Sequence, residues 1–283
     1  MVVKNIIIFV NSTKPGAEKL ADDMRRFFSS KNISTTFVML SSTTDDSSIH
    51  VFKADLAISL GGDGTVLTCA AALANLQVPI MAVNLGTFGY ITNTSANEYQ
   101  EVFNDFVEDR CKPSTRMMLE TKVERAGKVV FEANALNDMT IGACSMSKLV
   151  HLSLTINGVK AAGLKGDGLI FATPMGSTAY SLAAGGPIVD ASMQAIIVNP
   201  ICPFAMSVRP LVVSDQSVLK VDIPAQRTAI AISADGHGLF ELQEGDLVTV
   251  KKSSCKALFL ENVRRNSIEV LRDKLGWAGG FNA

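Results

Sequence analysis

Short apolar runs alternate with stretches of helical period through the first hundred residues. Residues 3–10 read as a buried strand, and Ala17, Leu20, Met24, Phe27 and Phe28 recur at the spacing of one helix face. Further strands are predicted at 35–40, 54–60 and 79–83. A helix is predicted behind the third, where Thr65 is placed to cap a segment carrying Val66, Leu67, Cys69, Ala70, Ala71, Ala72 and Leu73. Strands and helices in that order fold most economically as parallel β/α units.

Beyond about residue 105 the period changes from helical to two. Val150, Leu152, Leu154 and Ile156 alternate with His151, Ser153, Thr155 and Asn157, the signature of a half-buried strand. Short runs at 211–213, 218–223, 229–233, 247–251 and 257–260 continue it, so a mainly β region is expected, with its edges protected by curved or stacked sheets. Ile268, Leu271 and Leu275 return to helical spacing within 267–277, a segment expected to cover the first domain with Trp277 as a packing anchor. The predicted fold class is α/β plus mainly β: an N-terminal Rossmann-like parallel-sheet domain (1–105), a C-terminal β-rich domain (106–262) and a returning terminal segment (263–283).

Composition narrows the chemistry. With 47% hydrophobic and 19% charged residues among 283, the chain can bury a substantial core. Its net charge of -1 supplies no bulk attraction for nucleic acid, so an anionic ligand must be held by local geometry. No signal-peptide pattern opens the sequence and no apolar stretch approaches a membrane span, which makes a cytoplasmic location with no membrane partner the expectation. Cys69, Cys111, Cys144, Cys202 and Cys255 are scattered, as are His50, His151 and His237. They are expected to be reduced thiols acting as small hydrophobes, without a permanent metal site.

Gly61-Gly62-Asp63-Gly64-Thr65 carries the strongest chemical signal, because it lies at a strand exit with a helix directly behind it. Backbone can approach a phosphate there, and the helix start favours an anion. Asp63 would repel a bare phosphate, so it makes better sense binding magnesium, accepting a proton from an attacking hydroxyl, or both. Asn84-Leu85-Gly86-Thr87-Phe88-Gly89-Tyr90 follows the fourth strand, and both glycine loops should face one cleft. Asn137-Asp138 offers a donor and acceptors for sugar hydroxyls. Asp167, between Gly166 and Gly168, opens an apolar run that leads to Thr178-Ala179-Tyr180, a set suited to a flat heterocycle joined to sugars.

In combination these segments resemble the NAD kinase family. The GGDGT loop, Val83 through Thr92, Ala135 through Asp138, Asp167 through Gly186, Val208-Arg209-Pro210 and Glu244-Gly245-Asp246 match its motifs in order over nearly the whole chain. The resemblance implies phosphorylation of NAD at the adenosine-ribose 2'-hydroxyl to give NADP. Asp63 would be the catalytic carboxylate; Gly62, Gly64 and Thr65 would surround phosphate; Phe88, Asn137, Asp138, Asp167, Thr178, Ala179 and Tyr180 would bind the dinucleotide, with Asp167 at its nicotinamide-ribose end. It also implies Mg2+ or another divalent cation, held at most through water by Asp63, ATP or inorganic polyphosphate as donor, and a homodimer or homotetramer. Four positions depart from common forms of the pattern: Ala82, expected to narrow the turn before VNLG, Asp138 for a longer glutamate, Ala183 without a hydroxyl, and His237 in place of a neutral amide. A lipid or sugar kinase with a related GGDGT loop, an inactive NAD-binding sensor and an NAD-dependent oxidoreductase are the alternatives.

Overall fold

The parallel strands form where the buried runs predict them. A computed structural model describes residues 2–41, 54–86, 89–92, 94–145, 148–265 and 267–276. Strand β1 (Asn5–Asn11) leads to helix α1 (Ala17–Ser30) and β2 (Ser34–Leu40); β3 (Leu56–Gly61) leads to α2 (Asp63–Leu73), then β4 (Pro79–Asn84), the two-residue β5 (Thr94–Ser95) and α3 (Tyr99–Val107). The parallel order is β2-β1-β3-β4, with β5 on β4. The chain leaves β1 for a neighbour on one side and later enters β3 on the other. Their carboxyl ends therefore flank a switch point, where open sheets place ligand loops.

Ile6 to Val10 are at most 2% exposed because both faces of the central strands are covered. Met24 and Phe28 of α1 pack with Tyr99, Phe103 and Phe106 of α3 in one core cluster with Ile6, Ile8 and Val10. The rings of Phe28 and Phe103 meet edge to face at 5.0 Å. Burying a side chain of this size stabilises the fold by about 1.5–3 kcal/mol. Helix α2 is buried on most of its surface, and small residues such as Cys69 and Ala70 allow its close approach to the strands.

The β-rich unit holds β6 (Pro113–Arg125), β7 (Lys128–Ala135), β8 (Asp138–Ala143), β9 (Val150–Ile156), β10 (Val159–Gly166), β11 (Gly168–Ala172), the short α4 (Tyr180–Ala183), β12 (Ala195–Ile201), β13 (Leu211–Ser214), β14 (Leu219–Asp222), β15 (Ile230–Ala234), β16 (His237–Leu242) and β17 (Leu247–Leu260). One layer runs β10-β9-β14-β17 with β6 and β7 attached; the other is antiparallel in the order β13-β12-β11-β8-β15-β16. Leu152, Leu154, Val221 and Val248 of the first share one core with Met139, Ile141, Phe171 and Ile232 of the second. The sheets are stacked, as expected.

Contacts divide the chain into Met1–Thr115 with Ala257–Ala283, and Arg116–Lys256. Both boundaries differ from the expected 105/106 and 262/263. Cys111 is buried in the first core, and its thiol donates to the Glu261 carbonyl at 3.0 Å. The runs at 247–251 and 257–260 are one strand, whose Leu258 and Phe259 pair in parallel with Pro79 and Ile80 of β4. Arg264 pairs with Asp105 at 2.7 Å and Arg265 with Glu98 at 3.1 Å, so charge anchors the return. In the final helix, α5 (Ser267–Leu275), Leu271 and Leu275 are half-buried, whereas Ile268 of the expected apolar stripe is 58% exposed. Trp277 and His50 lie outside the described residues.

Candidate active site

In the first unit, Asp63 is the opening residue of α2, so its charge sits at the positive end of the helix, worth about 0.3–1 kcal/mol. Its carboxylate is gripped by the loop after β4. Tyr90 N–H donates to Oδ2 at 2.9 Å; Ile91 N–H, Thr92 N–H and the Thr92 hydroxyl donate to Oδ1 at 3.3, 3.2 and 3.2 Å. A Cβ on Gly89 would collide with all three carboxyl atoms, so only glycine lets the loop close on this side chain. Burial, then the Asp63 charge, pushes the Tyr90 phenol up. The two glycine loops therefore do meet, around one half-exposed carboxylate.

Gly61 is needed for packing, since a Cβ would strike Thr65. Gly62 and Gly64 face open space and have ordinary backbone angles, which leaves their surface free for a ligand. Thr65 is not the cap. The helix begins two residues earlier with Gly62 at its N-cap, and buried Thr65 accepts from Asn11 Nδ2 at 3.3 Å. Asn11 ends β1 at the switch point and was not singled out by any sequence motif. Asn84 accepts from Gly86 N–H at 2.9 Å, while its buried Nδ2 has no partner among the described residues. Phe88 lies outside the described residues.

In the second unit, Asn137 and Asp138 stand where β7 turns into β8, 7% and 6% exposed. Thr173 holds the turn from one side: its N–H donates to the Asn137 carbonyl at 2.8 Å and its hydroxyl to the Leu136 carbonyl at 2.6 Å. Gly176 presses so closely on the Asn137 backbone that no Cβ fits. Asn137 Oδ1 is buried with no hydrogen-bond partner among the described residues, a costly state for an isolated amide oxygen. Burial, then the charge of Asp235, pushes Asp138 up to about 6 against the opposing Thr140 hydroxyl.

Thr178, Ala179 and Tyr180 continue from the same segment, with Thr178 in a tight helical turn and Tyr180 48% exposed. The Ser177 hydroxyl donates to the Pro174 carbonyl at 2.6 Å and accepts from Val189 N–H at 3.0 Å, which fixes the segment from beneath. Asp167 is exposed and next to β11; a Cβ at Gly166 would press on the Ile201 and Cys202 carbonyls. Asp167 raises the Cys202 thiol by hydrogen bonding and charge.

Some sequence expectations need correction. Ala82 lies inside β4, 1% exposed and paired with Ser59, so it narrows no turn. Asp246 in the Glu244-Gly245-Asp246 segment, for which no role was expected, forms a two-pronged ion pair with Arg125, at 2.8 Å for each prong. Cys69 and Cys111 are core thiols, but Cys144 and Cys202 are exposed.

A family model described as the ATP-NAD kinase N-terminal domain matches residues 3–111, and the ATP-NAD kinase C-terminal domain matches 136–262. An NAD kinase of Treponema denticola is 35% identical over 278 residues, covering 98% of each chain. The chain belongs to the NAD kinase family. An NAD kinase of Nitrosomonas europaea is 38% identical over 80% of this chain and 76% of its own. Yeast NADH kinase, solved with NADH, superposes with a TM-score of 0.89 at 25% identity, covering 99% of this chain and 89% of its own. The two-part architecture, an α/β sheet followed by a β-rich antiparallel region, is that of the NAD kinase fold. The activity is phosphoryl transfer from ATP to NAD, giving NADP.

Proposed function

We propose that Asp63 is the catalytic carboxylate of this NAD kinase, orienting the adenosine-ribose 2'-hydroxyl and taking its proton as the oxygen attacks the terminal phosphorus of ATP. The new bond joins that oxygen to phosphorus, the bond to the bridging oxygen breaks, and ADP leaves. The supporting observation is the uneven use of the Asp63 oxygens. Three donors crowd Oδ1 at 3.2–3.3 Å, whereas Oδ2 carries the single short bond from Tyr90, leaving a lone pair for a hydroxyl.

Gly62, Gly64 and the start of α2 suit the phosphates of the donor. No group of three or more His, Cys, Asp or Glu able to hold a metal occurs among the described residues. A lone carboxylate already accepting four hydrogen bonds does not make a resident magnesium site, so magnesium belongs to the nucleotide substrate, where it offsets phosphate charge. Asn137 Oδ1, Asp138 and Asp167 supply acceptors for dinucleotide hydroxyls and amide, with Tyr180 as an exposed ring. A second copy of the chain fits the β-rich unit, where edge strand β13 exposes Leu211 and Val212 near Phe204 and Met206 in sequence.

Incubation with NAD, magnesium and either ATP or polyphosphate tests the reading. NAD gains one phosphoryl mass at the 2'-position with its nicotinamide oxidation state unchanged, and diacylglycerol and sphingoid bases accept none. Phosphorylation of a lipid in preference to NAD would refute it.

A further inference from the structure

The turn that carries Asn137 and Asp138 is held by a residue to which the sequence alone assigns no role. Asp235 follows the last residue of β15, and its N–H donates to the Asp138 carbonyl at 2.8 Å. Its Oδ1 accepts from Asn137 N–H at 2.7 Å and Asp138 N–H at 3.0 Å, and its Oδ2 accepts from Leu136 N–H at 2.8 Å. Leu136 and Asn137 belong to no strand, so their N–H groups have no ladder partner and would otherwise be orphaned. With Thr173 on the two carbonyls, every backbone polar group of Leu136 and Asn137 is engaged.

Only a carboxylate meets this demand. Three donors converge on two acceptor oxygens, whereas an amide offers one oxygen and turns a competing N–H toward the same donors. The site is an expensive one for a negative charge. The charge of Asp235 disfavours ionisation of Asp138, and burial raises Asp235 itself, against its three N–H donors and the opposing influence of His237. The left-handed φ of 50° at Asp235, followed by 76° at Gly236, is what the two-residue turn joining β15 to β16 requires. Turn closure needs neither the burial of the carboxyl nor its three backbone donors.

We propose that Asp235 is a positioning residue for the dinucleotide: it fixes the Leu136 to Asp138 backbone so that the Asn137 and Asp138 side chains meet the sugar hydroxyls of NAD in one orientation. The inference rests on the reading of Asn137 and Asp138 as NAD-binding residues. Asp235 touches the turn, and NAD feels it only through that turn.

The test measures steady-state rates with NAD and ATP varied separately, NAD affinity by titration calorimetry without ATP, and thermal unfolding, for Asp235→Asn, Asn137→Ala, Asp138→Asn and the Asp235→Asn/Asp138→Asn pair. Asp235→Asn is expected to raise KM and Kd for NAD about tenfold or more, with kcat and KM for ATP within about twofold, as misplacement of a binding group does. The double variant is expected to lose less than the product of the single losses, because both act on one turn. A folded Asp235→Asn enzyme with unchanged NAD affinity, beside Asn137→Ala and Asp138→Asn enzymes that lose it, overturns the proposal and leaves the parent reading standing. If Asn137→Ala and Asp138→Asn bind NAD normally, the parent reading fails. A loss confined to kcat, or a lowered melting temperature with normal NAD affinity, also overturns the positioning role. Should Asp235→Asn not fold, Asp235→Ser is judged by the same criteria.

Discussion

Two aspartates of this chain are gripped in the same way and are fitted for opposite work. Asp63 and Asp235 each accept hydrogen bonds from three consecutive backbone N–H groups, Tyr90 to Thr92 in one case and Leu136 to Asp138 in the other. Around Asp63 the donors stand at 2.9–3.3 Å, the residue is half-exposed, and a helix start supports its charge. Around Asp235 they stand at 2.7–3.0 Å, burial raises the carboxyl, and its charge in turn raises the neighbouring Asp138. The same motif therefore yields a reachable base where its grip is loose and a fixed strut where it is tight. Bond length and surroundings separate the two roles, not the residue type.

Substitutions should separate them in the same sense. Asp63→Asn removes the proton acceptor while keeping its shape, and kcat is expected to fall by about 10²–10⁴ with the melting temperature within a few degrees. Gly89→Ala forces the loop off the carboxylate, so single-turnover measurements should show a loss on the order of 10² with NAD affinity retained. Thr92→Val removes both the hydroxyl bond to Asp63 and the Thr92 oxygen that accepts from Gly89 N–H at 2.9 Å. A hydrogen bond to a charged group contributes about 1.5–3 kcal/mol, and these bonds are long, so a kcat loss of about tenfold is expected.

The smallest effect concerns pH. Asp138 is raised to about 6, and donor groups on NAD favour its ionised form, so NAD affinity should weaken on acidification below that value by at most about tenfold per pH unit. Asp138→Asn should flatten the profile measured by calorimetry. The sign for folding is opposite: a carboxylate raised above its unfolded value of about 3.9 contributes stability below that pH and loses it as pH rises through about 6.

Legibility from sequence followed the range of each interaction. Strands β1 and β3 and helix α1 were readable because burial imposes a period along a few consecutive residues. In sequence strand β17 reads as two pieces, since Lys251 to Lys256 interrupt the apolar pattern while the strand continues and Ser253 bonds Asn134 at 2.6 Å. Helix α3 has no predicted counterpart, although Tyr99, Val102, Phe103 and Phe106 recur at helical spacing. At the site, Asp63 was visible because its glycines are its neighbours in sequence. Asn11 reaches Thr65 across 54 residues and Asp235 reaches Leu136 across 99, and separations of that size leave no local trace.

The most direct test follows the first turnover of NAD with excess ATP and magnesium in wild-type enzyme and in Asp63→Asn, both folded and both saturated with NAD. The account predicts a transfer step slower by about 10²–10⁴ in the variant than in the wild type, with NAD binding unchanged. Equal transfer rates in the two enzymes would contradict it.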